Sequence, residues 1–119
     1  MNYRVAGDDL LIEDADHALC WCGQPDGRPA EWAIALRFAD DGLALYHYYR
    51  PDHPYGGFQN LVRVRPDGSI VWRAELPGND DKYVNAKLIE GRLSAHSYGG
   101  YDADIDVDTG RIIDRQFWK

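Results

Sequence analysis

The sequence predicts an all-β fold, an antiparallel meander of about nine or ten short strands grouped in two to three sheet-forming repeats. Three observations carry this expectation. Apolar and polar residues alternate at period 2 through most of the chain, as a half-buried strand requires. Turn sequences rich in Gly, Asp and Pro punctuate the alternating stretches. No window carries an apolar stripe at 3.6-residue spacing between a cap and a stop.

Strands are expected at residues 10–12 and 18–22, followed by the turn Pro25-Asp26-Gly27 and room for one helical turn near 28–32. Trp32, Ile34, Leu36 and Phe38 then share one face, with Ala33, Ala35 and Arg37 opposite. Asp40-Asp41-Gly42 turns the chain into strands at 43–49 and 60–65. After Pro66-Asp67-Gly68, the residues Ile70, Trp72, Ala74 and Leu76 are expected on one face, with Val71, Arg73 and Glu75 on the other. Residues 77–81 form the next turn, and Glu90-Gly91 separates strands at 83–89 and 92–98. Tyr101, Ala103, Ile105 and Val107 alternate cleanly with Asp102, Asp104, Asp106 and Asp108, and residues 111–118 close the series.

The chain also repeats itself. His53-Pro54-Tyr55-Gly56-Gly57-Phe58 returns 43 residues later as His96-Ser97-Tyr98-Gly99-Gly100-Tyr101. Turn glycines at Gly27, Gly68 and Gly110 recur at spacings of 41 and 42 residues. Glycine reaches positive φ without penalty, and Asp closes its own turn through a side-chain hydrogen bond, so these signals are expected to join antiparallel strands. A single domain over residues 1–119 follows, with repeats at roughly 10–40, 43–76 and 83–118.

Composition narrows the function classes. The 119 residues are 45% apolar and 28% charged, values of a globular chain rather than a disordered one. Thirteen Lys and Arg against 20 Asp and Glu give a net charge of −7, which repels a phosphate backbone and argues against nucleic-acid binding. No apolar run approaches the roughly 18 residues of a membrane span. Acidic residues follow the N-terminus before any hydrophobic stretch, so no secretory signal is expected. Cys20 and Cys22 flank Trp21 at a separation near the upper limit for a disulfide; buried free thiols and a cytoplasmic location are expected.

The stretch 62–76, containing Pro66-Asp67-Gly68-Ser69-Ile70-Val71-Trp72-Arg73, resembles the blade signature of quinoprotein-type (PQQ-repeat) β-propellers. So does Ala103-Asp104-Ile105-Asp106-Val107-Asp108-Thr109-Gly110 with the apolar residues that follow. The resemblance covers residues 60–116 and implies blades in which a tryptophan four residues after the turn glycine packs between neighbouring sheets. Trp72 matches that position; Asp114 replaces it in the last copy, a departure that suggests a terminal, capping unit. More loosely, the last third is similar to small uncharacterised single-domain bacterial β proteins, a likeness that implies a fold and no activity. The quinone cofactor does not carry over, because the chain has under three blade lengths, and no cofactor is expected.

Among candidate sites, the repeated His-x-Tyr-Gly-Gly segment suggests a binding surface built from His47, Tyr48, Tyr49, Arg50, His53, Tyr55, Tyr98 and Tyr101. The competing reading makes the two diglycines equivalent structural corners. No metal is expected. The nearest arrangements are Asp104, Asp106 and Asp108 for calcium, spread along a strand rather than around an ion, and Cys20 with Cys22 for zinc, which lack a second cysteine pair. No hydrolase or nucleotide-binding motif occurs, and a strand sends His96 and Ser97 to opposite faces, so no catalytic residue is assigned. The sequence thus points to a non-enzymatic protein-binding module, monomeric or homodimeric. An immunity-like or inhibitor-like role against a basic partner protein fits its charge. The alternative is a small-ligand binder or enzyme with a Tyr/His-lined pocket.

Overall fold

In the computed structural model, which describes residues 1–49 and 56–118, eleven strands form three antiparallel sheets. The first holds β1 (Asn2–Ala6), β2 (Asp9–Glu13) and β3 (Leu19–Gly23) in that order. The second runs β4 (Ala30–Ala35), β5 (Gly42–Tyr46), β6 (Leu61–Val64) and β7 (Ile70–Arg73). The third runs β8 (Tyr83–Ile89), β9 (Arg92–Ser97), β10 (Tyr101–Ile105) and β11 (Ile112–Phe117). Within each sheet every strand pairs with its neighbour in sequence, so the all-β antiparallel meander stands. β1 adds a strand that the short Tyr3/Val5 alternation does not announce.

The second sheet is sandwiched, and period 2 does the sorting. Along β5, Leu43 and Leu45 face the third sheet, while Ala44 and Tyr46 face the first. Leu43, Leu45, Leu61, Trp72 and Ala74 pack against Tyr83, Leu93, Ala95, Ala103 and Ile105. On the other side Ala44, Tyr46, Val62 and Val64 pack against Tyr3, Leu10 and Ile12. Each fully buried Leu, Ile or Val side chain here is worth about 1.5–3 kcal/mol relative to exposure. Asn60, fully buried, ties the second and third sheets: its Nδ2 donates to the carbonyls of Tyr46 and Tyr83 at 3.1 and 2.6 Å, and its Oδ1 accepts from the Tyr83 amide at 2.8 Å.

Stacking follows one device used twice. Trp21 of β3 lies over Gly68 in the β6–β7 turn, and Trp72 of β7 lies over Gly110 in the β10–β11 turn. A Cβ on Gly68 would stand 2.2 Å from Trp21 Cε2, and one on Gly110 would stand 2.6 Å from Trp72 Cδ2. Both glycines are left-handed, with φ of +85° and +75°. Trp72 Nε1 also donates to the Val107 carbonyl at 2.8 Å. A β-bulge accompanies each tryptophan. Ile12 and Glu13 oppose Trp21 and Leu19, leaving Cys20 extra; Arg63 and Val64 oppose Trp72 and Ile70, leaving Val71 extra. The third sheet repeats the bulge at Ile113, but Asp114 then stands where a tryptophan stood.

These features correct several expectations. The bulge at Val71 turns Ile70 toward the first sheet, away from the face of Trp72 and Ala74 that it was expected to share. Phe38 lies beyond β4 and is 94% exposed. β5 ends at Tyr46 rather than 49, and the short helical turn is a 3₁₀ turn at Pro25–Gly27. Gly27 therefore joins two different sheets. The first-sheet counterpart of Arg65–Ser69 is instead Asp14–Ala18, in which Asp14 N donates to Ala18 O at 3.0 Å as Arg65 N does to Ser69 O at 2.8 Å. His17, at φ +63°, holds the place of Gly68. No tryptophan covers that turn, so a side chain fits there.

The 3₁₀ turn is itself anchored. Asp26 accepts two hydrogen bonds from Arg73, at 2.9 and 2.6 Å, and one from the Tyr46 hydroxyl at 3.1 Å. The Arg73 guanidinium holds the Asp26 carboxyl below the usual carboxylate range. Burial, together with the Asp26 charge, pushes the Tyr46 phenol up.

Candidate functional site

The β5–β6 and β9–β10 connections occupy equivalent places in their sheets, and each carries a diglycine. Both close on the segment Asp80-Asp81-Lys82 that leads into β8. Gly57 N donates to Asp80 Oδ1 at 2.8 Å and Phe58 N to the Asp81 carbonyl at 2.9 Å. From the other side, Gly99 N donates to Asp81 Oδ1 at 3.0 Å and Tyr98 N to the Lys82 carbonyl at 2.8 Å. A Cβ on Gly57 would fall 2.2 Å from the Asp80 carbonyl carbon, so glycine there permits the approach. The expectation of equivalent corners does not hold. Gly100 is left-handed at φ +98° within a three-residue turn, whereas Gly57, its counterpart, lies outside the left-handed region.

This clasp assembles an aromatic end on the molecule. The rings of Tyr48 and Tyr98 stack at 6.3 Å, and the Lys82 ammonium lies 5.8 and 5.0 Å from their centroids. Lys82 is only 3% exposed. Beyond Gly99-Gly100, Tyr101 packs on Phe117 at 5.0 Å, and the Arg115 guanidinium lies 5.7 Å from the Tyr101 ring. Trp118 N donates to the Gly100 carbonyl at 2.7 Å, which holds the last aromatic on the same edge. Tyr48, Tyr49, Tyr98, Phe117 and Trp118 are all solvent-exposed.

Of the residues singled out in the sequence, the structure thus brings Tyr48, Tyr98 and Tyr101 to this end. His47 instead sits 3.9 Å from Asp8 and 4.0 Å from Glu31. Arg50, His53 and Tyr55 lie outside the described residues. Lys82, Arg115, Phe117 and Trp118 carry no signal of their own in the sequence, because only strand pairing and the diglycine clasp bring them there.

The acidic strand is internally matched. Asp104 accepts from Arg92 at 2.8 Å and from Ser94 Oγ at 3.1 Å, and Asp106 closes its turn onto the Asp108 amide at 2.9 Å. The Asp108 side chain is 92% exposed beside Arg63. Cys20 and Cys22 are free and exposed, not buried: one is the bulge residue, and both lie off the face that Trp21 buries. Among the described residues, no three His, Cys, Asp or Glu side chains gather where a cation could sit. His96 Nδ1 pairs with Asp102 at 2.7 Å, but the serine on its face, Ser94, is turned to Asp104, and Ser97 is buried on the opposite face with its Oγ accepting from the Tyr101 amide. No helix among the described residues is long and apolar enough to cross a membrane.

Two concavities lie away from the aromatic end. One of about 590 Å³ crosses the polar outer face of the third sheet over Asn85, Lys87, Ser94, His96 and Asp102. A second, also about 590 Å³, opens between the second and third sheets at the end remote from the aromatics.

Fold and site together define an all-β protein of three stacked antiparallel sheets with an aromatic end on the third. The chain belongs to the family described as a domain of unknown function (DUF7957), which matches residues 38–117. No curated protein matches the chain.

Proposed function

We propose that the chain is a non-enzymatic protein-binding module whose aromatic end docks a basic partner protein. One observation carries the reading: the Lys82 ammonium already lies 5.8 and 5.0 Å from the stacked Tyr48 and Tyr98 rings, and Tyr49, Phe117 and Trp118 are further exposed aromatics. Tyrosine and tryptophan dominate the centres of protein interfaces, and a net charge of −7 steers a cationic protein toward the surface. Two exposed, unpaired thiols suit a reducing, cytoplasmic setting. We read the three sheets as blade-like units, with Asp114 in the tryptophan position of the third, and the protein as a monomer or homodimer.

Selection of a random displayed-peptide library on the purified protein tests this function. Enriched peptides are expected to carry net positive charge and to lose at least about tenfold in affinity, or about 1.4 kcal/mol, against a Tyr98→Ser/Trp118→Ser variant. Acidic winners, or binding indifferent to that variant, would refute it.

A further inference from the structure

The cleft between the second and third sheets is a different kind of site. One wall is Ile34, Leu36 and Phe38, the other Leu88 and Val107, with Arg63 set between them. β8 separates this cleft from the aromatic end: its seven residues run from Tyr83 to Ile89, about 20 Å. The volume of about 590 Å³ falls within the range of small-molecule pockets. Ile34, Leu36, Leu88 and Val107 are continuous with the main core, so the walls rest on a packed interior. Phe38, by contrast, stands almost wholly in solvent at the mouth, with the Arg37 guanidinium 6.0 Å from its ring.

Charge on the lining is balanced, since Arg37 and Arg63 face Glu90 and Asp108. Arg63 is the most sheltered charged group there. Its Nε donates to Asp41 at 2.9 Å and its Nη1 to the Val107 carbonyl at 3.0 Å. Nη2 has no hydrogen-bond partner among the described residues. A guanidinium carries five N–H groups in a rigid fork, so donors remain once these two bonds are made.

We infer that this cleft binds an uncharged, largely apolar small molecule bearing a carbonyl-type acceptor, with Phe38 folding over its body and Arg63 donating to its acceptor. A net anion meets Glu90 and Asp108, and a net cation meets two guanidiniums. Only an uncharged body leaves the balance intact.

Titration with Nile red, an uncharged aromatic probe with a carbonyl, tests this while amide chemical shifts are followed by NMR. Saturable one-to-one binding is expected, with a Kd on the order of 10 µM. Shifts are expected at residues 34–39, 88–91 and 107–108. Phe38→Ser, which alters a solvent-exposed side chain, is expected to weaken binding about fivefold. Tyr98→Ser at the opposite end leaves it unchanged. Absence of saturation, shifts centred on the aromatic end, indifference to Phe38→Ser, or equally tight binding of the anionic 1-anilinonaphthalene-8-sulfonate would each overturn the assignment.

Discussion

Gly110→Ala isolates the contact on which the stacking of sheets rests. At φ +75° a residue bearing a Cβ loses about 1–2 kcal/mol relative to glycine. The new methyl would also stand 2.6 Å from Trp72 Cδ2, and relieving such overpacking costs about 1–3 kcal/mol more. The expected loss is therefore about 2–5 kcal/mol, a large part of the stability of a domain this size. Gly7→Ala is the control. Gly7 is also left-handed, at φ +64°, but a methyl added there would meet no atom within 4 Å, so only the backbone part should be lost. In a Trp72→Leu background the clash is relieved, and Gly110→Ala should fall to the Gly7 value. Urea unfolding measures all of these, with midpoints shifting at constant slope. If Gly110→Ala cost no more than Gly7→Ala, or cost the same in both backgrounds, the tryptophan-on-glycine account would be wrong.

Asp26→Asn should destabilise by about 1–3 kcal/mol at neutral pH, since it removes a charged acceptor from Arg73 and Tyr46. Because the Asp26 carboxyl is held below its unfolded-state value, its contribution is complete above that value and is lost as pH falls through the folded one. Wild type and variant should therefore converge as pH falls through and below the lowered Asp26 value, read from urea midpoints against pH. Asn60→Ala leaves three buried backbone partners of Asn60 without their bonds and should cost about 3 kcal/mol or more, measured by equilibrium unfolding. Native protein should take up two N-ethylmaleimide labels without denaturant, at Cys20 and Cys22; slow labelling that urea accelerates would contradict their exposure.

Local chemistry made the alternation and the hairpin turns legible. Gly68 and Gly110 sit in left-handed turns between paired strands, and Ala103 and Ile105 are buried opposite Asp102 and Asp104. The third copy of the turn is hidden in the sequence because glycine is needed only where a tryptophan presses on it. The first sheet has no such neighbour, so His17 stands in the equivalent place, and the Pro25-Asp26-Gly27 signal marks a link between sheets instead. Bulges left no mark either, since Cys20, Val71 and Ile113 share no chemistry. For the candidate site, the repeated diglycine marks two connections that meet at one end of the molecule. The Asp80-Asp81-Lys82 segment that both copies grip, and the Phe117–Trp118 edge, depend on pairings between residues far apart in sequence.

The terminal substitutions have a consequence for solubility. A molecule carrying a protruding indole on its last sheet and a bare glycine socket on its first would be complementary to its own copies, head to tail. Such heterologous contacts propagate without closing and yield filaments. With Asp114 at one extremity and His17 at the other, the chain offers neither half of that joint to a second copy.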